Sequence, residues 1–394
     1  MPFSLKPPAI KRCFNLEDFR RQAKRKLPAP LFHYIDGGAD DEITRINNTE
    51  AFNNYQIVPR CLEDVTTINM KTRVLGCELD WPVLMSPTGM SRFFHHEGER
   101  AVARAAAQSG TMYSLSTVAT TTIEDVAAAT SGPKMFQLYV LRDHAINDEL
   151  IERCRAAKYD ALCLTVDTVV QGNRERDLRT GMTIPPQLSL QSLASFALHP
   201  AWCYHYLRTP ALEMANLSHH IAEGSSQVSS LGKYINEQFD RALNWAYAEK
   251  VTARWQGPFA IKGILSIEDA RRAADIGATA VIISNHGGRQ LDTVPAPIDL
   301  VAEIADALGD KLEIILDGGV RRGTHVLKAL AMGANACMMG RPYLYGLAAG
   351  GQAGVERVLG LLKSEIERDM ILSGRADLNK IDRSFIRGLL QPNQ

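Results

Sequence analysis

The chain has 394 residues, of which 45% are hydrophobic and 22% are charged, a composition that can bury a sizeable core and excludes a disordered protein. Lysine plus arginine and aspartate plus glutamate both number 44, which argues against a nucleic-acid partner bound through a basic face. The seven cysteines are scattered and include no Cys-x-x-Cys pair, so we expect a reducing compartment and no structural metal site.

The N-terminal residues lack an apolar stretch followed by a small-residue cleavage site. No run approaches the roughly 18 apolar residues that a membrane-spanning helix needs. We therefore expect a cytoplasmic protein that is neither secreted nor membrane-spanning.

Residues 1–80 predict a helical segment ahead of the main pattern. Asn15 is a typical helix-capping residue, and Gly37 with Gly38 ends the helical pattern. Between them, four apolar residues recur at helical spacing, namely Phe19, Ala23, Leu27 and Leu31. We expect a helical run here.

From residue 82 onward, short apolar runs of strand length alternate with amphipathic segments. The apolar runs are 82–86, 112–116, 135–139, 161–167, 259–263, 280–286, 313–317 and 336–340. Helix candidates between them are 98–109, 123–129, 148–157, 267–276 and 324–332. Eight strands with crossover helices predict an α/β fold, the parallel (β/α)8 TIM barrel, and we expect residues 1–394 to form a single domain.

The spacing is regular except after the fourth strand, where residues 169–257 form a long insertion. An insertion at the C-terminal end of a barrel strand covers the active face. Its segment 188–207 is rich in Leu, Phe, Trp and Tyr, which is typical of a lid helix packed on the barrel. The alternative interpretation is apolar contact with a membrane surface.

The residues that close the apolar runs are polar or glycine, and they mark the face where such barrels hold their active sites. They are Pro87, Thr88, Gly89, Ser116, Thr117, Gln137, Tyr139, Thr165, Asp167, Lys262, Ser284, His286, Asp317, Gly318, Gly319, Gly340 and Arg341. Each polar atom buried there without a partner costs about 1–3 kcal/mol, so a polar ligand is expected to fill the mouth.

The loops after the seventh and eighth strands combine glycines with arginines, as in 318–323 and at Gly340 with Arg341. Backbone amides and guanidinium groups at this position usually bind phosphate in such barrels. The pattern therefore predicts a phosphorylated ligand or cofactor.

Four charged residues are candidates for chemistry, each with a structural alternative. His286 and Arg289 would be a base and a fixed cation, or an ordinary solvated turn at a strand end. Lys262 could snorkel to the rim, form a Schiff base or stabilise an anionic ring. Asp167 could orient His286 as a triad aspartate does, or simply cap a turn.

Five segments together resemble the FMN-dependent 2-hydroxy acid dehydrogenase and oxidase family, which includes glycolate oxidase, L-lactate dehydrogenase and mandelate dehydrogenase. They are 136–139 (FQLY), 165–168 (TVDT), 261–263 (IKG), 284–290 (SNHGGRQ) and 316–323 (LDGGVRRG). The resemblance extends from about residue 14 to residue 374 and is weakest in the insertion. It implies an FMN-binding barrel that oxidises an (S)-2-hydroxy acid to a 2-oxo acid.

The resemblance also implies a role for each residue. His286 would take a proton from the substrate and pair with Asp167, and Tyr139 would hydrogen-bond the substrate hydroxyl. The substrate carboxylate would be bound by Tyr34, Arg174 and Arg289. FMN would be held by Pro87, Thr88, Gly89, Ser116, Gln137, Thr165, Lys262, Ser284, Asp317, Gly319, Arg321, Gly340 and Arg341. Lys262 would lie where flavin reduction builds negative charge, which favours this role over a Schiff base.

Two positions depart from the glycolate oxidases. Gly89 stands where those oxidases usually have alanine, and this difference implies a quinone as electron acceptor. Val118 replaces an aromatic residue of those oxidases and leaves room near the substrate. An oxidase that forms hydrogen peroxide and a non-catalytic FMN-binding protein are the alternatives. The resemblance further implies a homo-oligomer, a tetramer in relatives, and peripheral contact of 188–207 with the inner face of the cytoplasmic membrane.

Overall fold

The computed structural model describes residues 9–182, 188–220 and 238–388, and parts of the predicted N-terminal segment and insertion lie outside them. Eight strands form one parallel sheet. They are β1 (Val83–Met85), β2 (Tyr113–Ser116), β3 (Lys134–Leu138), β4 (Ala161–Thr165), β5 (Phe259–Ile264), β6 (Ala280–Ser284), β7 (Glu313–Asp317) and β8 (Ala336–Met339). Each coincides with a predicted strand, so this prediction is confirmed.

The sheet curls into a nearly closed barrel. β2 to β8 pair in chain order, and β8 pairs in turn with β1. Across the seam, the backbone N–H of Met85 donates to the carbonyl of Met112 at 3.0 Å, and Thr88 forms an isolated parallel bridge with Leu115. The predicted (β/α)8 barrel is therefore confirmed.

The barrel strands are buried on both faces, which explains their continuous apolar runs. Alternate side chains, such as Leu84, Ile282 and Ile315, form a separate cluster with residues of a short hairpin, Thr72–Val74 and Cys77–Leu79. The other side chains belong to the main core beneath the helices. A further two-stranded ribbon joins Tyr55–Ile57 to Ile386–Gly388.

The α-helices of the described residues surround the barrel and precede it. They are α1 (Leu16–Lys26), α2 (Ala29–Asp36), α3 (Ile43–Glu50), α4 (Gly98–Gln108), α5 (Ile123–Ala129), α6 (His144–Ala156), α7 (Glu175–Thr180), α8 (Leu190–Ala197), α9 (Pro200–Arg208), α10 (Trp245–Trp255), α11 (Ile267–Asp275), α12 (Pro297–Leu308), α13 (Gly323–Ala331) and α14 (Arg341–Leu372). Among the described residues, no helix is long and apolar enough to cross a membrane.

The N-terminal helical run is two helices, because Pro28 interrupts it between α1 and α2. Asn15 caps α1 as predicted, with its Oδ1 accepting from the backbone N–H of Asp18 at 2.8 Å. α6 begins at His144, four residues before the predicted start at 148, because Asp143 caps it.

Two helices also replace the single lid helix predicted over 188–207, since Pro200 begins α9. Both are attached to the rest of the fold. Oγ of Ser195 in α8 accepts from the backbone N–H of Ala29 at 2.9 Å, and Nε1 of Trp202 in α9 donates to the carbonyl of Phe93 at 2.8 Å. The insertion thus covers the side of the barrel mouth near α2 and the loop after β1.

Candidate active site

A cavity opens at the C-terminal ends of the strands and brings most of the predicted site residues together. Its lining includes Tyr34, Pro87, Thr88, Gly89, Tyr139, Arg174, Lys262, His286, Arg289, Asp317, Gly319, Arg321, Gly340 and Arg341. Five predicted residues lie behind this lining rather than in it, namely Ser116, Gln137, Thr165, Asp167 and Ser284.

His286 follows the end of β6 in a left-handed backbone conformation, with φ of +58°. Its backbone N–H donates to Oγ of Ser284 at 3.1 Å, which fixes the turn. Nδ1 of its ring lies 2.9 Å from Oδ1 of Asp167 and 3.3 Å from Oγ1 of Thr168. Nε2 faces the hydroxyl of Tyr139 at 3.4 Å. One ring nitrogen is thus held by a carboxylate, while the other faces a phenol in the cavity.

The charges around this pair favour a neutral imidazole beside an ionised carboxylate. Burial lowers the pKa of His286, and the nearby cations Lys262 and Arg174 add to the decrease that Asp167 opposes. Burial favours the protonated form of Asp167, but His286 and Lys262 outweigh it and lower the pKa of Asp167. Burial also raises the pKa of Tyr139 to about 12, which keeps its hydroxyl protonated.

Two guanidinium groups lie around the ring of Tyr34. The Arg289 guanidinium carbon is 5.0 Å from the ring centroid, and that of Arg174 is 6.0 Å away. Nη1 of Arg289 donates to the carbonyls of Tyr34 at 2.6 Å and Gly37 at 3.2 Å. In the described part of the chain, neither arginine has a carboxylate within ion-pair distance. The pair can therefore bind an anionic group such as a substrate carboxylate.

Lys262 is buried at the end of β5 in a network of oxygen atoms. Its Nζ lies 2.9 Å from Oδ2 of Asp317 and donates to Oγ of Ser284 at 2.9 Å. The hydroxyls of Ser86 and Ser284 both donate to Asp317 at 2.8 Å. Burial disfavours the ammonium, but Asp317 and then Asp167 outweigh it and raise the pKa of Lys262. A lysine held in its charged form is a poor nucleophile, which disfavours the Schiff-base alternative.

Three of the residues behind the lining have a buried polar atom without a partner among the described residues, namely Asp167 at Oδ2, Gln137 and Thr165. Nε2 of Gln137 and Oγ1 of Thr165 have no hydrogen bond within the described residues. Ser116 Oγ donates to Oε1 of Gln137 at 2.7 Å, so the amide is oriented and its NH2 group remains available. Since such atoms cost about 1–3 kcal/mol when left unpaired, this arrangement fits the polar edge of a flavin ring.

Two further arginines, each partly buried, line the cavity, and one of them, Arg341, shares the carbonyl of Gly37 with Arg289. Arg341 donates to three backbone carbonyls at 2.7–3.0 Å, and Arg321 donates to the carbonyl of Val320 at 2.7 Å. Burial lowers the pKa of both, that of Arg341 to about 9, and the structure places no carboxylate of the described residues in an ion pair with either. The residues present therefore fit the phosphate of FMN.

Gly319, in the loop that follows β7 and contains Arg321, cannot be replaced by a residue with a side chain. Its φ is +79°, and an added Cβ would lie 1.7 Å from the carbonyl oxygen of Asn48. The close approach of α3 therefore fixes the loop that follows β7 and orients its backbone beside the arginines.

Several lining residues were not predicted. Thr168 hydrogen-bonds Oδ1 of Asp167 at 3.0 Å, and its position directly after that carboxylate was a usable signal. Phe239 has its ring centroid 5.3 Å from that of Tyr139, and Met182 and Met214 also line the cavity. These three come from the insertion, where no regular pattern points to the site.

The barrel, the cations at its mouth and the polar groups that fit a flavin are those of an FMN-dependent oxidoreductase. The chain belongs to the FMN-dependent dehydrogenase family, whose sequence model matches residues 23–388. The family, the FMN cofactor and the barrel fold predicted from the sequence are thus confirmed.

Relatives of this chain act on several small 2-hydroxy acids. An L-lactate oxidase of Nostoc sp. is 42% identical over 382 residues, which cover 96% of this chain and 99% of the relative. The glycolate oxidase of Spinacia oleracea is 40% identical over 375 residues, which cover 94% of this chain and 95% of the relative. The crystal structure of the monotopic membrane protein (S)-mandelate dehydrogenase matches with a TM-score of 0.91 at 35% identity, covering 96% of this chain and 100% of that one. The protein is thus an enzyme of the FMN-dependent 2-hydroxy acid oxidase and dehydrogenase family.

Proposed function

We propose that the protein oxidises an (S)-2-hydroxy acid of the L-lactate or mandelate type to the 2-oxo acid and delivers the electrons to a quinone. The observation that supports this most directly is the arrangement around His286. Its Nδ1 is held by Asp167 at 2.9 Å, its Nε2 faces the cavity, and two guanidinium groups lie nearby. A base beside a carboxylate-binding pair is what 2-hydroxy acid oxidation needs.

Each residue has a part in this proposal. Arg174 and Arg289 bind the substrate carboxylate beside Tyr34 and so orient the carbon that is oxidised. His286 takes a proton, and Asp167 stabilises the imidazolium that results. Tyr139 hydrogen-bonds the substrate hydroxyl.

Bound FMN supplies the two-electron acceptor. Lys262 would hold its N1 and C2 oxygen edge, where the fixed positive charge stabilises developing negative charge. Gln137 and Thr165 would pair with the ring edge through the atoms that lack other partners. Arg321 and Arg341 would hold the phosphate, with the backbone of Gly319 beside them.

An apolar wall supports a substrate larger than glycolate. Val118 lines the cavity together with Met182, Met214 and Phe239, none of which can hydrogen-bond a polar substituent. A methyl or phenyl group on the substrate gains free energy from burial against these side chains. This favours lactate or mandelate.

The surface of α8 and α9 supports a membrane-bound acceptor. Leu190 is 85% exposed and Leu207 is 80% exposed, and Leu198 between them is similarly exposed. Large exposed apolar side chains on neighbouring helices are typical of a contact surface. We infer that these helices contact the cytoplasmic membrane at its inner face, where quinone is dissolved. We also still predict that the protein forms a homo-oligomer, namely a tetramer.

The second candidate function is an oxidase of the same acids that reduces oxygen to hydrogen peroxide. It is favoured by the similarity to proteins named L-lactate oxidase and glycolate oxidase. The two candidate functions differ only in the electron acceptor, which is a quinone in the first and oxygen in the second.

Anaerobic mixing of the FMN-loaded protein with L-lactate, (S)-mandelate and glycolate tests the proposal. We expect loss of flavin absorbance with the first or second acid and a much slower change with glycolate or the opposite enantiomers. If no 2-hydroxy acid changes the absorbance, the proposed reaction is wrong. The reduced protein is then exposed to air or to a quinone. If the flavin absorbance recovers rapidly in air with release of peroxide but slowly with quinone, the oxidase is supported instead.

A further inference from the structure

The described part of the protein contains a second cavity, of about 340 Å³, that no role described so far uses. It lies between α9 and the loop that follows β1. Its walls include Phe94, His95, His96, Trp202, His205 and Tyr206. The insertion therefore forms two binding spaces on this face, one over the active site and one beside it.

The walls of this second cavity are planar rings at stacking distance. The ring centroid of His96 lies 4.4 Å from that of His95 and 4.6 Å from that of His205. The rings of Trp202 and Tyr206 stack at 5.0 Å with an interplanar angle of 16°. Walls of this kind favour a flat, conjugated ligand, which can stack on them with little loss of entropy.

Two of the imidazoles in the second cavity are uncharged near neutral pH. Burial lowers the pKa of His95 to about 4 and also lowers the pKa of His96, so these imidazoles are neutral near pH 7 and can donate or accept a hydrogen bond. Three cations also line the cavity, namely Arg25, Lys26 and Arg92, and two of them donate to backbone carbonyls. Lys26 Nζ donates to the carbonyl of Ala349 at 2.5 Å, and Arg92 Nη2 to that of Pro210 at 2.6 Å.

Phe94 connects the two cavities. It lines the second cavity and also the active-site cavity, and it is almost fully buried. Its ring stacks on that of Tyr34, with centroids 6.2 Å apart and an interplanar angle of 27°. A ligand in the second cavity would therefore be separated from the active site by one aromatic side chain.

The cavity also opens toward an apolar surface. Leu198 lines it and is 79% exposed, and Leu207 in the adjoining helix is similarly exposed. A ligand with a flat head and an apolar tail could thus place its head in the cavity beside these rings while its tail lies along this surface.

We propose that the second cavity binds the ring of a quinone, the electron acceptor of the reaction. This inference rests on the proposed function. In the overall reaction, the 2-hydroxy acid loses two electrons and two protons to become the 2-oxo acid, and the quinone gains two electrons and two protons to become the hydroquinone. Bound FMN would carry the two electrons between the two reactants, and the imidazoles of His96 and His205 would hydrogen-bond the quinone oxygens.

A tryptophan substituted at Ala201, which lines the cavity from α9, tests the proposal by filling the space. The matched control is Ala194→Trp, at an alanine of α8 that is also exposed but does not line the cavity. His205→Leu is a second variant that keeps the fold of α9 but removes a hydrogen-bonding group.

Three quantities are measured for each FMN-loaded protein. They are flavin reduction by L-lactate or (S)-mandelate without acceptor, kcat/KM for a short-chain benzoquinone against kcat/KM for ferricyanide, and binding of the benzoquinone to the oxidised protein by equilibrium dialysis. We expect Ala201→Trp and His205→Leu to weaken quinone binding and lower its kcat/KM at least 10-fold. Flavin reduction and ferricyanide reduction should stay within about 2-fold, as should every value for Ala194→Trp.

The outcomes separate the site from the function. Unchanged quinone binding and kcat/KM in Ala201→Trp would overturn the site while leaving the quinone function intact. Flavin reduction by the acid without any reaction of the unaltered protein with quinone would overturn the acceptor assignment and the site together. Equal loss in Ala194→Trp would mean that the effect comes from the surface of the insertion, which also overturns the site.

Discussion

Nδ1 of His286 and Oδ1 of Asp167 lie 2.9 Å apart, although 119 positions separate the two residues in the chain. The contact joins the end of β6 to the segment after β4, so it exists only when the barrel has closed. It holds the imidazole ring so that Nε2 points into the active-site cavity. The backbone of His286 has φ of +58°, a conformation that is costly for a residue with a side chain and is typical of functional sites.

Replacing His286 by Gln should abolish substrate oxidation and leave FMN bound. Glutamine keeps the size and polarity of the side chain but cannot take a proton, and a positioned base contributes about 10²–10⁴-fold to rate. The measurement is anaerobic flavin reduction by L-lactate or (S)-mandelate, with the FMN content determined in parallel. His144→Gln is the control, because this histidine is partly exposed on α6. Loss of FMN from His286→Gln would show a structural role instead.

Replacing Asp167 by Asn should change the pH dependence as well as the rate. The base is active when neutral, so kcat/KM rises as the pH increases through the pKa of His286, which burial holds below its usual value. Asp167 opposes that decrease, and without its charge the pKa should fall further. We expect the acidic limb of the profile to move to lower pH by about 1 unit or more, with a rate at the plateau reduced about 10²-fold. An unchanged limb would mean that Asp167 does not set the charge of His286.

Replacing Lys262 by Met should lower the reduction potential of the bound flavin. The ammonium is fixed by Asp317 in its charged form, so its removal takes away a positive charge beside the group that becomes reduced. We expect a decrease of about 30 mV or more, which corresponds to about 1.4 kcal/mol for two electrons. Spectroelectrochemical titration measures it.

The stability of the same variant provides the control. Lys262→Met leaves Asp317 buried and unpaired, which should cost about 3–5 kcal/mol in unfolding free energy. Adding Asp317→Asn removes that carboxylate charge and should restore most of the stability but only part of the potential, because the cation is still missing. Full recovery of both quantities in the double variant would show that the lysine serves the fold alone.

The barrel and most of the residues at its mouth could be predicted because each strand has a recognisable local sequence pattern. A buried parallel strand is a short apolar run, and the polar residue that closes it, such as Lys262 or Asp317, marks the active face. The pairing of His286 with Asp167 could be expected only from the family resemblance, since no local pattern encodes a contact between distant segments. Phe239 and the cavity beside Phe94 were not predictable, because the sequence of the insertion does not show which parts of the barrel it contacts.

Replacing Gly89 by Ala should strain the cavity wall. An added Cβ would lie 2.6 Å from Cγ2 of Val118 and 3.0 Å from its carbonyl oxygen. We expect a loss of about 1–3 kcal/mol in stability, together with weaker FMN binding. Adding Val118→Ala should recover part of the loss, but not all, since the carbonyl contact remains.

The control is Gly360→Ala, where nothing lies within 4 Å of the added Cβ and stability should rise by about 0.5–1 kcal/mol. Thermal unfolding and FMN titration measure these effects.

Replacing Leu190 and Leu207 together by Ser should weaken attachment to lipid membranes. Both side chains are highly exposed on α8 and α9, and full burial of one leucine contributes about 1.5–3 kcal/mol. We therefore expect at least a 10-fold weaker partition into vesicles of phosphatidylethanolamine and phosphatidylglycerol, measured by co-sedimentation. Leu372→Ser is the matched control, because this leucine is 71% exposed but ends α14, outside the insertion. Flavin reduction should be unchanged in both variants, since neither surface lines the active-site cavity. If the unaltered protein does not sediment with vesicles, or if Leu372→Ser weakens binding equally, the insertion is not the membrane contact, and its apolar surface must be covered in another way.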